Sequence, residues 1–191
     1  NVLPPSGFTL AAGAHSARVL AIRIPHQALA GTYEARYAVY AQTRSEPLGD
    51  ASVEIRVRTV ADIGLTVEQS PRFFIVGEPF EALVALSNAG NSPLMVTLSA
   101  DAGTDARISI LPQEMAIGPG EQRLARLTVF THVSGWSDER ATVRLTAEAN
   151  APGTATLRKK AFFTVDAVRT GWPGPTGKTL PSRVSVLGWS H

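Results

Sequence analysis

The stretch Ala51-Ser-Val-Glu-Ile-Arg-Val-Arg-Thr-Val60 decides the fold class of this chain. Its apolar residues Val53, Ile55 and Val57 alternate with polar or charged residues. Side chains of a β-strand point alternately to the two faces of a sheet, so this period of two indicates a strand with one buried face. In a helix the same apolar groups would be scattered around the surface.

The same alternation recurs along the chain. It is found in four further segments: Tyr33–Ala41, Phe80–Leu86, Leu94–Leu98 and Arg140–Ala147. No segment shows a helical period, so the sequence predicts an all-β protein.

Residues that favour turns separate these segments. The turn clusters are Glu46-Pro-Leu-Gly49, Asn88-Ala-Gly-Asn91, Gly118-Pro-Gly120 and Asn150-Ala-Pro-Gly153. Glycine and asparagine tolerate positive φ and proline presets φ, so each cluster can reverse the chain with little strain. Short strands that alternate with such turns predict a β-sandwich or barrel.

An internal repeat sharpens this prediction. Val2-Leu-Pro-Pro precedes a predicted strand over Arg18–Ile24, and Ile110-Leu-Pro-Gln precedes a predicted strand over Arg123–Phe130. Both copies continue through a glycine, an alternating strand, a turn and a last strand. The first motif recurs after about 108 residues, close to the length of one immunoglobulin-like sandwich.

The repeat predicts an immunoglobulin-like β-sandwich in one complete and one partial copy, arranged in tandem. Residues 1–60 form the partial copy, 61–166 the complete copy, and 167–191 a Gly/Pro-rich linker with one further strand. The first copy lacks what Ile63–Ala100 supplies in the second, so residues upstream, a neighbouring domain or a partner strand must cover its apolar face. The short joint Thr59-Val-Ala-Asp62 predicts end-to-end stacking with limited bending.

Composition excludes several classes of function. Lys and Arg number 18 against 16 Asp and Glu, and the arginines are scattered along strands, so no nucleic-acid partner is expected. There are no cysteines, which excludes disulfides and thiolate chemistry. No apolar run approaches the roughly 18 residues of a membrane helix, so no transmembrane helix is predicted.

Candidate chemical sites are weak, and we predict no enzyme, no catalytic residue and no cofactor. Pro173 and Pro175 remove backbone donors from the Gly-Lys-Thr stretch, which disqualifies it as a phosphate-binding loop. The histidines lack metal-ligand spacing. No metal site is predicted, although the loop Asp101–Asp105 leaves calcium open. A carbohydrate ligand also stays open, because three tryptophans could stack on sugar rings: Trp136, Trp172 and Trp189.

Several motifs resemble bacterial immunoglobulin-like modules of the NEW3 and CARDB type. They are Ile75-Val-Gly-Glu-Pro79, the strand and turn Phe80–Asn91, and Ile117-Gly-Pro-Gly-Glu121. The resemblance implies export, with localisation in the periplasm, outer membrane or cell surface. It also implies a non-catalytic spacer or binding role within a larger envelope protein.

A second resemblance is to the two-domain periplasmic pilus chaperones, which bind partners by β-strand addition. Val53, Ile55 and Val57 would then form the strand-addition edge. The leading prediction is a structural or interaction segment of a larger bacterial envelope or surface protein. The alternative is a pilus-type chaperone or a carbohydrate-binding accessory domain.

Overall fold

The structure, a computed structural model, describes residues 7–17, 19–103, 106–131 and 140–168. Its first two strands, β1 (Gly31–Tyr40) and β2 (Pro47–Val57), form an antiparallel two-stranded sheet in which Gly31 lies opposite Val57. We call this sheet the N-terminal hairpin.

Two details before Ile63 differ from the prediction. The expected strand over 18–24 is reduced, in its described residues, to a single bridge at Ile22. The expected turn at Glu46–Gly49 lies earlier, where the Arg44 amide donates to the Ala41 carbonyl at 3.1 Å, and Pro47 already opens β2. Proline lacks an amide donor but is tolerated as the first residue of a strand, so the strand pattern prevails there.

The residues after Asp62 form two packed antiparallel sheets with one short parallel pairing. The four-stranded sheet has the order β3-β5-β9-β7 and the five-stranded sheet β4-β11-β10-β6-β8. The strands are β3 (Ile63–Gln69), β4 (Phe73–Ile75), β5 (Phe80–Asn88), β6 (Leu94–Asp101), β7 (Ala106–Leu111), β8 (Glu114–Ile117), β9 (Gln122–Thr131), β10 (Arg140–Asn150) and β11 (Leu157–Val168).

This arrangement confirms the predicted immunoglobulin-like β-sandwich, and no described residue is helical. The chain changes sheets between β3 and β4, around Ser70-Pro71. β3 pairs with β5 of one sheet, and β4 then pairs in parallel with β11 of the other. Proline favours such a break because it cannot donate to a central ladder.

The core lies between the two sheets. Alternate residues of β5, β6, β9 and β10 point inward and are almost fully buried: Val84, Leu86, Val96, Leu98, Leu127, Val129, Val143 and Leu145. Phe74 and Phe80 close one end with ring centroids 5.1 Å apart. Each fully buried aliphatic side chain contributes roughly 1.5–3 kcal/mol by removal from water, so these inward faces hold the sandwich together.

The sandwich receives the chain at one end and releases it at the other. Ile63 lies opposite Asn88 at the entry end, whereas Val168 lies opposite Ile75 at the far end. β5 spans nine residues between these ends, or about 30 Å at the usual rise of a strand. Because the chain enters and leaves at opposite ends, the sandwich adds its own length to the distance that the chain spans.

Leu127→Ala should destabilise the sandwich by about 2–5 kcal/mol, because a buried leucine would leave a cavity between the sheets. Leu124→Ala is the matched control, since Leu124 lies on the same strand and is 54% exposed; its change should stay within about 0.5 kcal/mol. Urea unfolding followed by tryptophan fluorescence or circular dichroism measures both. Equal losses would mean that β9 does not face the core as described.

Candidate functional site

The N-terminal hairpin has one apolar and one polar face. Residues directly opposite each other on β1 and β2 share a face. The pairs on the apolar face are Gly31–Val57, Tyr33–Ile55, Ala35–Val53, Tyr37–Ala51 and Val39–Gly49. In a complete sandwich such a face would be packed against a second sheet.

The N-terminal part of the chain is less buried than the sandwich. Before Ile63 none of the described residues is buried, and the described residues that are buried all lie between Ile63 and Val165. Tyr33, Tyr37 and Val39 are 44%, 46% and 42% exposed. An exposed apolar patch of this kind marks an interaction surface.

The predicted strand-addition residues lie on this face. Val53 is 44% exposed, and Ile55 and Val57 are half-buried. The structure brings them together with the aromatic residues of β1. Tyr33 and Tyr37 were predicted to lie in a strand but not in a site; their alternation with the charged residues Glu34 and Arg36 is the sequence signal for this face.

Charges on the opposite face of the hairpin are paired within each strand. Glu34 accepts from Arg36 at 3.1 Å, and Glu54 accepts from Arg56 on the other strand. Both pairs are well exposed, so each adds little to stability. This polar face therefore faces solvent with its charges compensated.

Asn91 connects the N-terminal part of the chain to the sandwich. Its side chain accepts from the Val60 amide at 2.7 Å and donates to the Arg58 carbonyl at 3.0 Å. Its backbone amide donates to the Val60 carbonyl at 3.0 Å, and its carbonyl accepts from the Ala30 amide at 2.9 Å. One residue of the sandwich thus holds both segments that flank the hairpin.

A buried asparagine holds the turn that presents Asn91. Asn88 is 1% exposed and donates to the carbonyls of Ser92 at 2.8 Å and Ile117 at 3.0 Å. Its side-chain oxygen accepts from the Gly90 amide at 2.9 Å. Three satisfied bonds stabilise this turn, because a buried amide left unpaired would be costly. The sequence predicted only a turn here, since the burial of Asn88 and its bond to Ile117, 29 positions away, arise from the packed sandwich.

The neighbouring turn at Gly118–Glu121 carries a perturbed carboxylate. A hydrogen bond from the Gly118 amide lowers the pKa of Glu121, and a hydrogen bond and charge attraction from Arg123 lower it further. The two donor distances are 3.2 Å and 3.1 Å. Gly120 has φ 74°, a left-handed conformation that favours glycine.

A small cleft lies between the hairpin's flanking segments and the sandwich. Its volume is about 430 Å³, and its lining includes His26, Leu29, Val60, Pro119 and the backbone of 89–91. His26 is its one titratable lining residue, so the cleft offers no set of catalytic groups. We call this region, with the Asn91 hydrogen bonds, the joint.

A larger, open groove of about 840 Å³ lies on the outer face of the five-stranded sheet. Phe162 is 73% exposed there, beside Arg144 and Lys160. Arg144 lies 3.9 Å from Asp101, so its charge is partly compensated. With Lys160 the lining has two cations and one carboxylate, and an excess of a single exposed charge gives little selectivity for a ligand.

Other predicted features are only partly described. Asp101 accepts from the Gly103 amide at 3.1 Å as a local turn, while Asp105 lies outside the described residues. The Gly-Lys-Thr stretch, His132, His191 and the three tryptophans also lie outside them. Within the described ranges no group of three His, Cys, Asp or Glu could hold a metal. No helix among these residues is long and apolar enough to cross a membrane.

The comparisons with known proteins show a similarity of fold alone. No family model and no curated protein matches the sequence. A fragment of native alpha-2-macroglobulin from Escherichia coli aligns with TM-score 0.47 and 16% identity, covering 57% of this chain and 17% of that chain. A PapD-like domain of human CEP192 aligns with TM-score 0.42 and 11% identity, covering 57% and 87%. The periplasmic chaperone SfaE aligns with TM-score 0.39 and 14% identity, covering 59% and 60%.

Gly90→Ala should disrupt the joint, because an added Cβ would collide with the carbonyl oxygen of Val60 and crowd the Asp62 amide. We expect a loss of about 1–3 kcal/mol, as for overpacking elsewhere, and faster exchange of the Val60 and Asn91 amides. Gly49→Ala is the matched control, since nothing lies within 4 Å of its Cβ position. Hydrogen exchange by NMR measures both variants, and unchanged exchange in Gly90→Ala would contradict this geometry.

The Glu121 turn should confer stability that depends on pH. A carboxylate whose pKa is lowered in the folded state stabilises the fold above its ordinary pKa, and this contribution is lost as the pH falls through the folded pKa. Glu121→Gln should therefore lower the urea midpoint at neutral pH but leave it close to wild type at about pH 2–3. Glu68→Gln, at an exposed position of β3, serves as control. The same deficit for Glu121→Gln at both pH values would disprove the charge effect.

Proposed function

We propose that this chain is a non-catalytic interaction and spacer segment of a larger bacterial cell-envelope or surface protein. The observation that carries the proposal is the contrast between its two parts. The sandwich buries its own apolar faces, whereas the N-terminal hairpin leaves an ordered apolar face uncovered. A face of this kind is completed by another β segment, so the first unit acts through β-strand addition.

The route of the chain supports the spacer role. Because the sandwich is entered at Ile63 and left near Val168, at its opposite end, it separates whatever lies before it from whatever lies after it. The four Asn91 hydrogen bonds favour a joint of limited bending. Such a segment would hold the parts of an envelope protein on either side of it at a fixed separation.

The resemblance to exported NEW3 and CARDB modules supports an extracytoplasmic location, in the periplasm, outer membrane or at the cell surface. Use of the uncovered face by a free pilus-type chaperone is the alternative. In that case the partner would be a separate, incomplete pilus subunit.

Hydrogen exchange tests the proposal. The amides of Gly31–Val57 are compared in the 191-residue chain and in the full-length gene product in isolated envelopes. We expect about tenfold slower exchange or more in the envelope, because added strands protect the hairpin. Amides of Val84 and Leu145, both fully buried, are the internal control. Equal hairpin exchange in both samples would refute the proposal, and protection only on adding pilus subunits would favour the alternative.

A further inference from the structure

One edge of β1 is available for pairing. β1 hydrogen-bonds to β2 along one edge, and no other strand in the described part of the chain extends this sheet. The strand is ten residues long and contains neither proline nor lysine. Its tyrosines, valine and threonine favour extended structure. A long unprotected edge of this composition is a template for another strand.

The other sheet edges among the described residues are shorter or carry features that discourage pairing. β11 carries the successive cations Arg158, Lys159 and Lys160 where it has no second strand partner among the described residues. β4 and β8 are three and four residues long, and the edges of the four-stranded sheet, β3 and β7, are seven and six. β2 begins with Pro47, which cannot donate a hydrogen bond. β1, with ten residues and neither proline nor lysine, is therefore the longest described edge without these features.

The apolar face is also more open on the β1 side. Tyr33, Tyr37 and Val39 are each more than 40% exposed, whereas on β2 only Val53 is, at 44%, and Ile55 and Val57 are half-buried. A strand added beside β1 would place its inward side chains next to these aromatic rings. The gain in buried apolar area is therefore larger there than beside β2.

The β1 edge is continuous with the joint, an interface the molecule already makes. The Ala30 amide, directly before β1, donates to the Asn91 carbonyl at 2.9 Å. Leu29 and Val60 extend the apolar surface into the cleft beside Pro119. An added strand would meet both the hairpin and the entry end of the sandwich.

The sandwich shows which side chains such a strand needs. β10 occupies in the second copy the place of β1 in the first, and β6 pairs antiparallel with its other edge. β6 directs Val96 and Leu98 into the core, both almost fully buried, while Thr97 and Ser99 face outward. On β1, Glu34 and Arg36 already pair with each other, so the outward face demands no charge from a new strand.

We propose that the free edge of β1 accepts an antiparallel peptide strand from a partner polypeptide, aliphatic at every second position and uncharged on that side. This inference rests on the proposed function and changes the receiving strand from β2, with Val53, Ile55 and Val57, to β1. The β2 residues then line the floor of the same face. Tyr33 and Tyr37 supply the contacts that select an alternating apolar sequence.

Disulfide capture in air, with dissolved oxygen as the oxidant, tests which edge receives the strand. The chain has no cysteine, so Ala38→Cys on β1 and Ser52→Cys on β2 each introduce a single thiol. Both positions are exposed on the polar face. The probe is a peptide of this chain's own residues 93–101 with Cys in place of Thr97, and the control is a scrambled peptide that lacks the alternation.

We expect the probe to couple about tenfold faster or more to Ala38→Cys than to Ser52→Cys, because pairing raises the local thiol concentration. The scrambled peptide should couple equally slowly to both. Adding Tyr37→Lys to Ala38→Cys should slow the probe towards the scrambled rate. Circular dichroism checks that each variant remains folded.

Each other outcome overturns the inference in a distinct way. Faster coupling at Ser52→Cys would move the site to β2 and leave the proposed function standing. If the probe coupled no faster than the scrambled peptide at either position, strand addition would be disproved, and the proposed function with it. Rapid disulfide dimers of Ala38→Cys without peptide would show that a second copy of this chain occupies the edge.

Discussion

The burial of one apolar sheet face against another governs this molecule. From Ile63 onward two sheets bury their apolar faces against each other, and residues such as Val84, Leu127 and Leu145 are withdrawn from water. In the N-terminal hairpin the same alternating pattern produces an ordered apolar face but no described sheet to cover it. Since most stabilisation of β-structure comes from such packing, the two parts of the chain differ in what they can do alone. The sandwich buries its own apolar faces, whereas the N-terminal hairpin leaves one apolar face that no described sheet covers.

The joint makes these two parts depend on each other. Asn91 and Gly90 belong to a turn of the sandwich, yet their contacts fix Ala30 and Val60 on either side of the hairpin. The buried Asn88 holds that turn through the carbonyls of Ser92 and Ile117. The core of the sandwich therefore positions the apolar face of the N-terminal hairpin. A strand bound at β1 would be oriented relative to the axis along which the sandwich extends the chain.

Much of the fold was predictable because strand alternation is a local signal. The pattern at Val53, Ile55 and Val57 predicted the strand and its apolar face. The strand expected over 18–24 shows the limit of that signal. A strand exists only when a neighbour accepts its backbone hydrogen bonds, and in the described residues only Ile22 retains a bridge. The turn at Glu46–Gly49 was displaced because Pro47 begins β2.

The sequence by itself predicted the all-β class and determined the absence of cysteine chemistry, since both follow from residue type and spacing along the chain. Tertiary structure alone decided that Asn91 hydrogen-bonds to both segments that flank the hairpin and that β1 has one edge without a strand partner among the described residues. These features depend on contacts between residues about thirty or more positions apart, or on which strand finds no neighbour. No local pattern encodes a partner's position in space, so only the folded chain reveals them.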